Sequence, residues 1–135
     1  MYRKLVLFGL MFILMSACKP STSGGISTTE LASLHTELMA LHDSTMVKHG
    51  VSLKLIDQLD QIKLSQPEGS LDSIRDELDR SNEAMMDWMA EYTDPVTQDS
   101  SALNYLMDQL RLMKAIAQTQ ATAISGGKTI LETKK

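Results

Sequence analysis

The chain has 135 residues, 43% of them apolar, 22% charged and 4% aromatic, with a single cysteine and a formal charge of −4. That length suits one small core, and one cysteine excludes an internal disulfide framework or a multi-thiolate metal centre. Seven glycines and three prolines are too few for a strand-and-turn protein or a low-complexity chain, which points to an all-α fold.

Arg3 and Lys4 precede an apolar run from Leu5 to Met15. The run is too short to span a hydrocarbon layer of roughly 30 Å, and residues 1–17 have the form of a secretory signal peptide. Its end, Met15-Ser16-Ala17-Cys18, resembles the lipobox of bacterial lipoproteins, where small residues admit a peptidase ahead of a cysteine that receives a diacylglyceryl group. Met15 departs from that pattern, in which Leu is commonest. The resemblance implies that Cys18 is lipidated with palmitate-type chains and that these anchor the protein to a membrane. Each buried CH₂ contributes about 0.8 kcal/mol, and two or more chains hold stably. By the same resemblance Lys19, rather than Asp, after the cysteine implies sorting to the outer membrane, on its periplasmic or its surface face. The alternative reading is an ordinary signal peptide with Cys18 as a free thiol.

Removing residues 1–17 leaves 135 − 17 = 118 residues and takes away two basic side chains, moving the formal charge from −4 to −6. An acidic domain with no lysine or arginine cluster is a poor fit to nucleic acid or an anionic lipid surface. Trp88, Tyr92 and Tyr105 are the aromatics that remain, too few to make a set of stacking platforms for bases. No nucleic-acid partner is expected.

Residues 18–26 read as the lipidated cysteine and a flexible tether, since Lys19 to Gly25 contains no apolar side chain. Ser27 and Glu30 have capping-box spacing and Ile26 and Leu31 that of a hydrophobic staple, which starts the first helix at Ser27. That helix is expected over 27–66. One apolar row runs Leu31, Leu34, Leu38, Leu41 and resumes at Leu55, Leu59, Ile62, with Lys48 and Ser52 interrupting its phase. A second row beside it reads His35, Met39, His42, Met46, His49, Leu53, Ile56, and together they make a stripe wide enough for two partner helices. Gly50 is a candidate kink. Pro67 to Ser70 supply a turn.

The second helix is expected over 70–93, with Leu71, Ile74, Leu78, Ser81, Met85, Trp88 and Tyr92 on one face. Asp94-Pro95 suits the N-cap and first position of a third helix over 95–126. Its stripe is Leu103, Leu106, Leu110, Met113, Ala117, Ile124, and Gly126-Gly127 suits its C-terminal end. The bundle domain is expected over 27–127, followed by a tail over 128–135 in which Ile130 and Leu131 allow a last helical turn or two. The expected fold is an antiparallel three-helix, up-down bundle with coiled-coil-like packing. A first helix of about 57 Å against a second of about 33 Å either breaks at Gly50 into a four-element bundle or overhangs its neighbours. The overhang is the argument for a homo-oligomer. Inside the bundle, Leu38, His42, Met46, Leu53 and Ile56 are expected to pack on Met85, Trp88 and Tyr92.

The sequence offers no His-Glu-x-x-His, P-loop, Gly-x-Ser-x-Gly or Glu-x-x-His pair, so no enzymatic activity is expected. The unusual pattern is the His/Met row. His42, Met46 and His49, at i, i+4 and i+7, surround one point on the helix, and Met85 and Met89 do so on the second. Imidazole with thioether suits copper as Cu(I); packing of methionine into an irregular core is the alternative. Trp88 is a core residue or, if exposed, a partner-binding hot spot.

Two segments carry a family resemblance: Leu41-His42-Asp43-Ser44-Thr45-Met46-Val47-Lys48-His49-Gly50 and Asn82-Glu83-Ala84-Met85-Met86-Asp87-Trp88-Met89. They resemble small lipoproteins of Gram-negative bacteria that carry the borrowed label "viral A-type inclusion protein". The second stretch is complete, whereas His49 stands where the first usually has Met. The resemblance implies a helical-bundle envelope lipoprotein and brings no activity or ligand with it. The expected function is accordingly that of a non-catalytic, lipid-anchored interaction or structural module of the cell envelope. Soft-metal binding and self-association are the alternatives.

Overall fold

The computed structural model describes residues 27–65 and 69–134. The expected signal peptide, Cys18, the expected tether and the Pro67-Glu68 part of the expected turn lie outside the described residues. Three helices, α1 (Thr28–Ser65), α2 (Gly69–Glu91) and α3 (Ser100–Thr133), follow one another with no strand among the described residues. Each packs on the other two, so the fold is the all-α antiparallel bundle that the apolar spacing predicts.

Helix α1 starts where the capping signal puts it, with the Thr29 N–H donating to Ser27 Oγ at 3.2 Å. It runs through Gly50 without a break. A Cβ at Gly50 would meet nothing within 4 Å, so the glycine weakens an exposed turn without redirecting it. The four-element alternative is therefore not what forms.

The boundaries of α3 differ from expectation at both ends. Asp94 does not cap it, because its carboxylate accepts hydrogen bonds from His35 Nε2 (2.9 Å) and the Tyr92 hydroxyl (2.7 Å). Asp99 caps instead, accepting from the N–H groups of Ser101 at 2.9 Å and Ala102 at 3.1 Å. Gly126 and Gly127 do not end the helix. Their missing side chains let α3 approach its neighbours: a Cβ on Gly126 would lie 2.6 Å from Ile74 Cδ1, and one on Gly127 3.4 Å from Leu78 Cδ1. The helix continues for two more turns, and Ile130 and Leu131 pack on the core.

At 34 residues α3 nearly matches the 38 of α1, and the connection from Tyr92 to Asp99 continues past the end of α2 toward the start of α1, where Asp94 meets His35. The overhang that motivated self-association is thus covered within one chain.

The interior is two apolar clusters separated by a polar layer. One cluster gathers Leu31, Leu38, Met85, Trp88, Leu106, Leu110 and Met113; the other Leu55, Ile56, Leu59, Leu71, Ile74, Leu78 and Ile124. Between them Thr45, Ser52, Ser81, Asn82 and Gln120 are buried. The interruption of the leucine row is therefore itself a core feature. Thr45 and Ser81 turn their hydroxyls back onto their own helices, to the carbonyls of Leu41 (2.7 Å) and Leu78 (2.8 Å). Gln120, with its amide oriented to satisfy both, donates to the Thr45 carbonyl at 3.0 Å and accepts from the His49 N–H at 3.3 Å.

Candidate functional site

Two lines of side chains meet along the junction of α1 and α2. The α1 line His35, Met39, His42, Met46, His49, Leu53, Ile56 continues at the same spacing to Asp60, whose carboxylate accepts from Arg75 Nε of α2 at 2.7 Å. From Arg75 the spacing of four and three residues leads through Asp79 and Asn82 to Met86 and Met89. The Asp60–Arg75 pair therefore places both lines on one seam. Arg75 also holds Asp79 (2.7 Å), and its pKa is raised, first by the hydrogen bond to Asp60 and then by the charge of Asp79.

Five of the seven methionines beyond residue 17 lie on or beside this seam: Met39, Met46, Met85, Met86 and Met89. They are not equivalent. Met85 is fully buried, Met39 and Met46 are partly buried against the cluster that contains Met85 and Trp88, and Met86 and Met89 are 48% and 41% exposed. Leu53, expected in the core, is 51% exposed.

Trp88 is 5% exposed and so belongs to the core. Its ring contacts His42 (centroids 5.6 Å) and stacks on Tyr92 (4.7 Å), which in turn faces Tyr105 (6.2 Å). Its indole N–H donates to Gln109 Oε1 at 2.8 Å, so the one polar atom of the side chain is satisfied. These rings join α1, α2 and α3 beside the shared carboxylate of Asp94. Burial first, and then the hydrogen bond to Asp94, pushes the Tyr92 phenol well above its ordinary pKa. Asp94 is held low, first by Tyr92 and then by His35. With His35 Nε2 and the Tyr92 hydroxyl both turned onto one carboxylate, this group is arranged as a clasp on the connection.

The metal-ligand candidates are divided by the fold. His42 has Nδ1 at 3.0 Å from Asp43 Oδ1 and its ring on Trp88. His49 has Nδ1 buried with no hydrogen-bond partner. Met46 and Met85 lie inward and Met89 outward. No three His, Cys, Asp or Glu side chains among the described residues come together to hold a metal ion. The buried polar layer is the feature that sequence reasoning missed. Its signal was present as small or amide side chains breaking the apolar phase of all three helices.

These features define a three-helix bundle with a methionine-lined seam. No family model, curated protein or solved structure matches the chain.

Proposed function

We propose that this protein is a lipid-anchored module of the bacterial envelope that holds a partner protein along the α1/α2 seam. The observation that carries this reading is the exposure of Met86, Met89 and Leu53 beside the half-buried Met39 and Met46. Methionine is flexible and polarizable, and an exposed strip of it adapts to an apolar ligand surface. The outer face of α2 beside it is acidic: Asp72, Asp76, Glu77, Asp79, Glu83, Asp87 and Glu91 stand against Arg75 and Arg80. The partner surface that fits is an apolar helix bordered by lysine or arginine, attracted by the acidic rim and seated on the methionines.

The lipobox-like Cys18, the apolar-free tether after it and the resemblance to Gram-negative lipoproteins support placement at the end of a lipid tether, with the outer membrane as its site. No helix among the described residues is long and apolar enough to cross a membrane. A photo-crosslinking residue at Met86 in cells of a Gram-negative host is expected to give a discrete adduct, and one at Thr122, exposed on α3, to give none. Equal labelling from both positions, or none from Met86, overturns the docking reading.

A further inference from the structure

We propose that the groove between the C-terminal halves of α1 and α3 binds a free long-chain fatty acid, with its carboxylate at Lys54 and Lys128 and its chain along Val51, Leu55, Ile62 and Leu131. These two helices run parallel. Gln120 meets the backbone of Thr45 and His49, and seven residues further on a Cβ at Gly127 would lie 3.5 Å from Leu55 Cδ1. The groove between them has a volume of about 710 Å³ and is lined by α1 and α3 alone, a size within the range of small-molecule sites.

Its floor is apolar. Leu55 is buried, Val51 is exposed, and Ile62 and Leu131 are partly buried against the cluster that contains Leu55. From Val51 to Ile62 the floor covers 62 − 51 = 11 residues of α1, about 16 Å of helix, which suits an extended acyl chain and exceeds a headgroup alone. Helix α1 supplies one row of these side chains and α3 a single leucine. A floor of that width takes one acyl chain, and the second chain of a diacyl lipid would stay in water.

The rim is cationic in an acidic molecule. Lys54, Lys128 and Lys134 line the groove against Glu132, whereas the whole chain carries −4. Lys54 and Lys128 are 128 − 54 = 74 residues apart, so they become neighbours of one groove only when α1 and α3 pack. Neither is in an ion pair among the described residues. Neither serves a helix end: Lys54 lies 65 − 54 = 11 residues before the end of α1 and Lys128 133 − 128 = 5 before that of α3, and compensation of the helix dipole is confined to the last turn. Two cations without counter-charges beside an apolar floor complement an anionic head on an apolar tail. Lysine suits that task, because its stem covers apolar surface while its ammonium group stays in water.

The proposal does not rest on the docking reading, because the groove belongs to α1 and α3 and is tested without a partner. The full chain carrying Cys18→Ala, so that no acyl group of its own competes, is titrated calorimetrically with myristate below its micellar concentration. One myristate per chain is expected, and myristyl alcohol, which lacks the charge, should bind at least tenfold more weakly. Lys54→Gln/Lys128→Gln should weaken myristate binding at least tenfold, and Val51→Asp, which puts a negative charge on the floor, should abolish it. All three positions are exposed, so circular dichroism should show both variants folded. Lys114→Gln, at a lysine that pairs with Glu37, should leave the affinity unchanged. Absence of saturable myristate binding overturns the site, as does equal binding by the folded Lys54→Gln/Lys128→Gln variant. Cosedimentation with phosphatidylglycerol vesicles that the two lysine substitutions abolish, in place of myristate binding, would assign the groove to a bilayer surface and also overturn the proposal.

Discussion

Trp88 fills the junction of all three helices, and its truncation removes the ring that His42 and Tyr92 pack on. Trp88→Ala is expected to cost about 3–5 kcal/mol, as for other large-to-small core changes, measured by urea unfolding. A loss under about 1 kcal/mol would show that the ring carries no packing load. Asp94 makes a different prediction. A carboxylate whose folded-state pKa is lowered stabilises the fold above its unfolded value, near about 3.9, and loses that contribution as the pH falls through the folded value. Tyr92 and His35 lower Asp94 in this way. Asp94→Asn is therefore expected to be less stable than the parent at neutral pH, with the difference closing as the solution is acidified into the range where Asp94 protonates. A difference that stays constant throughout would show that Asp94 acts through shape alone. The sequence shows an Asp before a Pro at this position, which suits a cap equally well. The Tyr92 hydroxyl and His35, which arrives from α1 59 residues away along the chain, engage the carboxylate instead.

At the scale of the helix, glycines of identical local meaning have opposite consequences. Gly50→Ala adds a methyl group to an exposed helix interior with nothing nearby and is expected to stabilise by about 0.5–1 kcal/mol. Gly126→Ala gains the same backbone term but drives Cβ to 2.6 Å from Ile74 Cδ1, so it should stabilise less or destabilise. Combining it with Ile74→Val, which deletes that methyl, should recover the gain relative to Ile74→Val alone. Additive effects in this double-mutant cycle would show that the two positions do not touch. The long elements and their inward faces were legible because apolar spacing of three and four persists over many turns: every α2 residue from Leu71 to Trp88 on the expected face is buried. The termini of α3 were not. A Gly-Gly pair reads as a helix end when the neighbour it accommodates, here Ile74 and Leu78, is unknown. The cap that forms is Asp99, which takes the N–H groups of Ser101 and Ala102.

Across the whole molecule, the polar layer divides the core into two apolar halves and leaves Ser52 Oγ and both amide atoms of Asn82 without partners. Removing an unpartnered buried group removes its desolvation cost, so Ser52→Ala is expected to be neutral or stabilising, an unusual outcome for a fully buried position. A loss above about 1 kcal/mol in urea unfolding would mean that the hydroxyl has a partner. The layer was hard to read from one helix, where Ser52 looks like a lapse in a leucine row; it becomes a feature only when Thr45, Ser81, Asn82 and Gln120 are seen buried at the same place. The same bundle is proposed to sit at the end of a lipid tether and present its methionine seam to a partner, and the anchor is the part on which that role depends. Labelling producing cells with a clickable palmitate analogue, followed by membrane fractionation, tests it directly. The wild-type chain should carry the label and sediment with membranes, and Cys18→Ala should lose both. An unlabelled wild-type chain, or a Cys18→Ala chain that stays in the membrane fraction, would contradict the account.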